Sequence, residues 1–355
     1  MPPTVLRIKD ISVTVAQDED AINSAPQEFA ERPKDQDASL VNYIAGKAWP
    51  AANVLAEYFI WRFGHSGSDA LFLSESLTAT ATPILYGNNN RRRRRLRLLE
   101  LGAGTGLASL FVGKALTATA AVSTTTPETN DNAPNFNNKH YPHAELGVDI
   151  YVSDLAIATP LISKNISANF PRVATTVDGN SNNSGVALHA VALDWTDPDA
   201  TQKLIASCVA SEPAEDDNDD NSPAFDLIYA SDVVYFPHLF DALILTLVQL
   251  ADATTNTNNN STAAASKNND RTAEIILTCR IRELNKEARF YARLGKYFRL
   301  VALDADEWDS GVFYERYCGE YVMFRCVRRA VDLDEDESDE FEVLRQGWIA
   351  TDLFD

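Results

Sequence analysis

The feature that most constrains this chain is the passage from an apolar run, Leu96 to Leu101, through a glycine-rich turn into an apolar helix from Leu107 to Leu116. The turn reads Glu100-Leu101-Gly102-Ala103-Gly104-Thr105-Gly106. Glycines there permit a tight bend and a close approach of backbone amides to a ligand at a helix N-terminus. A strand that feeds such a turn and helix is the opening unit of a parallel α/β sheet. The order Gly-x-Gly-x-Gly differs from the dinucleotide fingerprint G-x-G-x-x-G. An acid ahead of the first glycine, Glu100, suits a cationic amino group and would repel a pyrophosphate. Three readings stand on the turn alone: an S-adenosylmethionine site, a dinucleotide site, or a structural bend.

Further strands and helices alternate behind it. Strands are expected at Asp149–Ser153, Val186–Leu193, Phe225–Ser231 and Glu274–Cys279, and helices at Ile157–Asn169, Leu239–Leu250 and Leu284–Leu294. Such alternation implies right-handed crossovers and a doubly wound, mostly parallel sheet covered on both faces. Phe298–Leu303 and Tyr321–Val327 follow with no helix between them, which predicts an antiparallel closing pair. Near the N-terminus, Leu6, Ile8, Ile11, Val13 and Val15 approximate strand alternation, and a helix is expected from Pro50 to Phe63. Residues 1–45 are read as an N-terminal flank or lid, 46–330 as one domain and 331–355 as an acidic tail. Four segments rich in Asn, Thr, Ser and Asp, near 117–138, 178–184, 211–222 and 254–270, are expected to be disordered insertions.

Charge separates tail from body. The net charge is -20, but Glu212 to Asp220 holds six acids and Asp332 to Glu342 eight, which leaves 37 acids against 31 bases elsewhere. Blocks of this kind are solvated and argue against nucleic acid as principal partner. The run Arg91 to Arg95 is read as a solvated loop, with nuclear import or an RNA contact as alternatives. Cys208, Cys279, Cys318 and Cys326 show no metal-ligand spacing, so no metal is expected and the thiols are read as free. No run is long and apolar enough for a membrane helix, and no secretory signal opens the chain. The expectation is a cytoplasmic monomer, with a nuclear fraction if the arginine run acts in import. Gly64-His65-Ser66-Gly67-Ser68 resembles a nucleophile elbow but misses its last glycine.

Candidate site residues fall at the carboxyl ends of the expected strands, where ligands meet an open α/β sheet. Asp154 is placed to accept hydrogen bonds from ribose hydroxyls; its 48-residue distance from Gly106 shortens to 26 once the first insertion is set aside. Against that stands a plain loop or capping acid. Asp194-Trp195 follows the third strand, where an indole can cover an adenine face or simply plug the core. Asp232-Val233-Val234-Tyr235 ends the fourth strand and offers an acid and a phenol, or a cap and a packed ring.

With these residues in hand, the chain resembles the seven-β-strand protein-lysine methyltransferases of the methyltransferase-16 family, which act on heat-shock chaperones, valosin-containing protein and elongation factor 1-alpha. The likeness rests on Gly46-Lys47-Ala48-Trp49-Pro50-Ala51-Ala52 with Leu55-Ala56-Glu57-Tyr58, on Glu100 to Leu107, and on Tyr151 to Leu155 with Asn165 and Asn169. Trp195 and Phe225 to Tyr235 complete it. The resemblance implies a Rossmann-like class I methyltransferase fold, a seven-stranded sheet, and S-adenosylmethionine as cofactor. It implies that Trp49 lies against the donor, that Gly102, Ala103 and Gly104 give backbone contact, and that Asp154 holds the ribose. Trp195 and Ser231 would surround the adenine, and Asp232 and Tyr235 would face the acceptor amine. The implied partner is a protein of the elongation-factor or chaperone class, fungal elongation-factor enzymes being the nearest in general likeness. Ser231 stands where relatives often carry alanine, and the insertions and tail are departures. The competing readings are a small-amine or RNA methyltransferase and a catalytically silent cofactor-binding scaffold.

Overall fold

The computed structural model describes residues 4–8, 10–17, 46–64, 95–123, 147–171, 185–197, 199–210, 223–253, 273–282, 284–303 and 321–329. Nine strands are described: β1 Thr4–Ile8, β2 Ile11–Val15, β3 Leu96–Leu101, β4 Val148–Asp154, β5 Val186–Ala192, β6 Leu227–Ser231, β7 Glu274–Arg280, β8 Phe298–Ala302 and β9 Tyr321–Arg328. The described helices are α1 Pro50–Gly64, α2 Leu107–Ser123, α3 Thr159–Asn169, α4 Ala200–Ala210, α5 Phe240–Asp252 and α6 Leu284–Tyr297.

Seven strands form one sheet in the order β5-β4-β3-β6-β7-β9-β8. The first five run parallel, and β9 pairs antiparallel with both β7 and β8. This is the expected doubly wound sheet with its antiparallel closure. The direction of travel across the sheet reverses between β4 and β6, which flank β3, so the crevice beyond the carboxyl ends of β3 and β6 is the topological switch point.

Strand alternation divides the core. Leu98, Leu227, Tyr229 and Ile276 face one side, packed with α1, α2 and α3. Leu99, Leu101, Ile228, Ala230, Ile275 and Leu277 face the other, against α4, α5 and α6. A buried ion pair, Arg62 to Glu274 at 2.7 Å, ties α1 to β7. The N-terminal hairpin β1–β2 is a separate two-stranded sheet, yet Val13 and Val15 are buried in the core that α1 and α2 share. The flank is thus built into the domain.

Two expectations needed revision. Helix α2 continues through Thr117–Ser123, seven residues into the segment read as insertion. Its sequence there, Thr-Ala-Thr-Ala-Ala-Val-Ser, is rich in alanine, whose helix propensity sustains a helix without an apolar stripe. Helix α4 was not anticipated at all; Leu204, Ile205 and Cys208 form its buried stripe. Residues 124–138, 178–184, 211–222 and 254–270 lie outside the described residues, as do 65–68, 91–94, Cys318 and the acidic tail. Among the described residues, Cys208, Cys279 and Cys326 are buried and form no disulfide, no cluster of three His, Cys, Asp or Glu side chains could hold a metal, and no helix is long and apolar enough to cross a membrane.

Candidate functional site

The glycine turn lies at the switch point, and its backbone is bent as the glycines allow: φ is 60° at Gly102, 56° at Gly104 and 78° at Gly106. The Gly106 N–H closes the bend on the Ala103 carbonyl at 2.8 Å, and the Ala103 N–H reaches the Ser153 carbonyl at 2.9 Å. At Gly102 the absent side chain is a space requirement as well. A Cβ there would stand 2.9 Å from Val233 Cγ1 and 3.2 Å from Cη2 and Cζ2 of Trp195. Trp195 and the loop after β6 therefore close on the turn from the sides of β5 and β6.

Asp154, at the end of β4, is tied to the turn directly. Its Oδ2 accepts the Gly104 N–H at 2.8 Å and its Oδ1 accepts the Leu155 N–H at 2.7 Å. Burial pushes its carboxyl above the usual range, and these two backbone donors oppose the rise. Each oxygen keeps a further lone pair, which is what a pair of ribose hydroxyls requires. Beside it, at the carboxyl ends of β4 and β5, opens a cavity of about 700 Å³ lined by Leu155, Ala156, Ile157, Asp194 and Lys203 among others. Asp194 is partly engaged in its own turn, accepting from the N–H and hydroxyl of Thr196 at 2.8 and 2.7 Å. The Gly102 cradle and the remaining acceptor capacity of Asp154 fit an adenosine-bearing ligand at the turn; the cavity is lined by neither residue and lies to the side of β5.

Glu100 lies deeper than a surface ligand contact. It is fully buried, and its Oε2 accepts both the N–H and the hydroxyl of Ser109 on α2. The Ser109 hydroxyl also shares a hydrogen bond with the Tyr229 phenol at 2.7 Å. Oε1 has no partner among the described residues. Burial raises the Glu100 carboxyl to about 8, with the bonds from Ser109 opposing and the charge of Asp154 adding to the rise. The residue thus anchors the first turn of α2 beneath the glycines and leaves Oε1 open to a ligand.

The acceptor-side residues follow β6. Ser231 is half-buried at the strand end, in register with Thr278. Asp232 is the only non-glycine residue with positive φ among the described residues, at 58°, and its N–H is bonded to the Thr278 carbonyl at 2.7 Å. Its carboxylate is buried and gripped by Arg282: Nη1 donates to Oδ1 at 2.7 Å and Nη2 to Oδ2. Arg282 sits just past β7, and its own N–H is bonded to the buried Glu287 of α6 at 3.2 Å. Tyr235 is half-buried; burial raises its phenol, and the charges of Asp154 and Asp232 raise it further while Arg282 opposes them. The phenol is therefore within electrostatic reach of both acids. Its ring meets Phe236 at 4.5 Å. Trp49 directly precedes α1, half-buried, with the Lys47 ammonium 5.0 Å from its ring centroid.

The structure thus brings Gly102, Gly104, Asp154, Trp195, Asp232 and Tyr235 to one crevice, with Glu100 beneath it. Arg282 and the Ser109–Tyr229 pair were not anticipated. An arginine two residues past a strand that ends at the crevice was the available signal for the first; nothing local pointed to the second.

A family model described as lysine methyltransferase matches residues 35–138, which include the Trp49 segment and the glycine turn. No curated protein matches the chain in sequence. Among solved structures it is similar to a fibrillarin/Nop5p complex (11% identity, TM-score 0.32, 71% of this chain and 81% of that one). It is similar to the rRNA methyltransferase aviRa of Streptomyces viridochromogenes (14%, 0.32, 80% and 94%) and to the DszA carbon methyltransferase (13%, 0.37, 80% and 57%). These scores are too low to carry geometry across, and the argument stays with the sheet order, the turn and the matched segment. Together those three give the chain the fold of a class I methyltransferase, and that fold with the matched segment implies S-adenosylmethionine as the methyl donor.

Proposed function

We propose that this chain is a protein-lysine N-methyltransferase whose substrate is a polypeptide of the elongation-factor or chaperone class, and that it acts as a monomer. The observation that carries the reading is the position of Tyr235, whose phenol feels Asp154 on the donor side and Asp232 on the acceptor side. A half-buried aromatic ring just past the end of β6, within electrostatic reach of both acids, suits the lining of a channel for a lysine side chain. The match of residues 35–138 to the lysine methyltransferase model supports it.

Bound, S-adenosylmethionine supplies a methyl group on an electrophilic sulfonium. Asp154 would hold its ribose, the Gly102–Gly104 backbone its methionine portion, and Trp195 and Ser231 its adenine, with Trp49 against the donor. Glu100 Oε1 would be the acceptor for the amino group once that ammonium lowers the carboxyl's elevated pKa. For the acceptor, the chain's task is alignment and exclusion of water. A lysine enters as an ammonium with a reference pKa of about 10.4 and must lose a proton. Asp232 is already held by Arg282, so its task is to orient the ammonium and not to carry the proton away. Each of its oxygens keeps a lone pair on which the ammonium is oriented. Tyr235 bounds the path, and the proton leaves to water as the amine sheds its hydration.

The test is incubation of the full chain with labelled S-adenosylmethionine and an extract from cells lacking the protein. The expected label sits in a polypeptide that is sensitive to protease and resistant to nuclease. Label confined to nuclease-sensitive or small-molecule material would overturn the reading.

A further inference from the structure

The hairpin β1–β2 is held by two asparagines one helical turn apart on α3. Asn169 accepts the Thr14 N–H on Oδ1 at 2.8 Å and donates from Nδ2 to the Thr14 carbonyl at 2.6 Å. Asn165 does the same to Ala16, accepting its N–H at 2.8 Å and donating to its carbonyl at 3.1 Å. Each side-chain amide pairs with the backbone as a neighbouring strand would. At i and i+4 the two lie on one face of the helix, and both are buried.

Their remaining bonds differ. Asn169 Nδ2 turns back to the Asn165 carbonyl in its own helix at 2.8 Å. Asn165 Nδ2 instead donates to the carbonyl of Thr105, inside the glycine turn, at 3.0 Å. The Thr105–Gly106 peptide is planar and trans, so fixing its carbonyl toward α3 aims the Gly106 N–H the opposite way. That N–H closes the turn on the Ala103 carbonyl. Beyond Ala16, Gln17 Oε1 accepts the Ala48 N–H at 3.1 Å, directly before Trp49. The hairpin is thus linked to two pieces of the proposed cofactor site, to the turn through Asn165 and to the Trp49 segment through Gln17, just past β2.

We propose that the N-terminal hairpin is a working part of the cofactor site, with Asn165 as the positioning residue that couples hairpin docking to the shape of the Gly102–Gly106 turn. The inference rests on the assignment of that turn to S-adenosylmethionine. Coupling between two sites is reciprocal, so ligand in the crevice must also tighten the hairpin. A hairpin that only covers apolar surface predicts no such exchange of stability.

Amide hydrogen exchange and calorimetry on the full chain, with S-adenosylhomocysteine as probe, test this. In the wild type, exchange at Thr14 and Ala16 is expected to slow severalfold, about 5-fold or more, when the ligand is added. Asn165→Ala and Asn169→Ala each remove two bonds to the hairpin, but only the first releases Thr105. Ligand affinity is therefore expected to fall about 10-fold in Asn165→Ala and about threefold or less in Asn169→Ala, equivalent to one neutral hydrogen bond and a fraction of one. Binding of the ligand to the wild type with no change in hairpin exchange would overturn the coupling and leave the cofactor assignment standing; this arm needs no variant that might fail to fold. Equal losses in the two variants would overturn the special role of Asn165. No binding to the wild type would overturn the cofactor assignment and the inference with it.

Discussion

Arg282 meets Asp232 fork to fork, with both guanidinium Nη atoms on the two carboxylate oxygens, at the described non-glycine residue whose backbone is left-handed. The pair joins the end of β6 to the connection between β7 and α6, so the acid proposed to orient an ammonium already balances a cation of the chain itself.

Asp232→Asn separates those two duties. Asparagine tolerates the left-handed backbone better than most residues, so the loop geometry should survive. What disappears is the charge that Arg282 and an incoming ammonium share. Turnover is expected to fall about 100-fold, equivalent to about 2.7 kcal/mol of transition-state stabilisation, while cofactor affinity stays within about twofold. Transfer at the wild-type rate in a radiolabel assay would leave Asp232 as an anchor alone.

Asp154→Ala should reverse that order of effects. The variant loses an acceptor for two hydroxyls and frees the Gly104 N–H that shapes the turn. With hydrogen bonds to a charged group worth about 1.5–3 kcal/mol, S-adenosylhomocysteine affinity should drop at least about 10-fold by calorimetry. Unchanged affinity would reduce Asp154 to a loop cap.

Gly102→Ala tests the cradle. The added methyl group would occupy the contact with Val233 and Trp195 in a conformation that costs an L-residue roughly 1–2 kcal/mol. The expected outcome is loss of about that much stability in urea unfolding, together with at least about 10-fold weaker cofactor binding. A variant that binds normally would show that the ligand does not depend on this turn.

Glu100 predicts a pH dependence. The folded-state value of about 8 lies above the ordinary carboxyl value of 4.5, so between those pH values the native state holds a proton that the unfolded chain has lost. Stability contributed by this group is full below about pH 4.5, declines as pH rises, and is lost above about pH 8. A unit of difference is worth about 1.4 kcal/mol, so the decline amounts to roughly a few kcal/mol. Glu100→Gln should flatten it, seen as a smaller loss of denaturant midpoint between pH 6 and pH 9. Identical slopes in the two proteins would mean that Glu100 ionises as an exposed acid does.

What was legible in the sequence were the features that act locally. Leu96 to Gly106 carries its strand, bend and helix start within a short stretch, and Asp154, Trp195 and Asp232 declare themselves by ending apolar runs. Helix α4 escaped notice because its large buried residues, Leu204, Ile205 and Cys208, are few and the helix runs directly into the polar segment that starts at Ser211. Which residues pair over long range is not written in the local sequence. Arg282 reaches Asp232 across 50 residues, and Asn165 and Asn169 reach the hairpin across 149 and 155. For Glu100 the sequence offers an acid ahead of a glycine turn, but only the fold shows it fully buried, with one oxygen taken by Ser109 and the other without a partner.

The most direct test of the central claim is the chemical identity of the transferred group's new site. Polypeptides labelled by the wild-type chain and S-adenosylmethionine in extract are hydrolysed to amino acids and separated against methylated standards. The account predicts label co-migrating with methylated lysine, reduced at least about 10-fold in Asp154→Ala at limiting cofactor and about 100-fold in Asp232→Asn. Label on arginine, histidine or a carboxyl side chain, or on lysine at the same rate without Asp232, would contradict it.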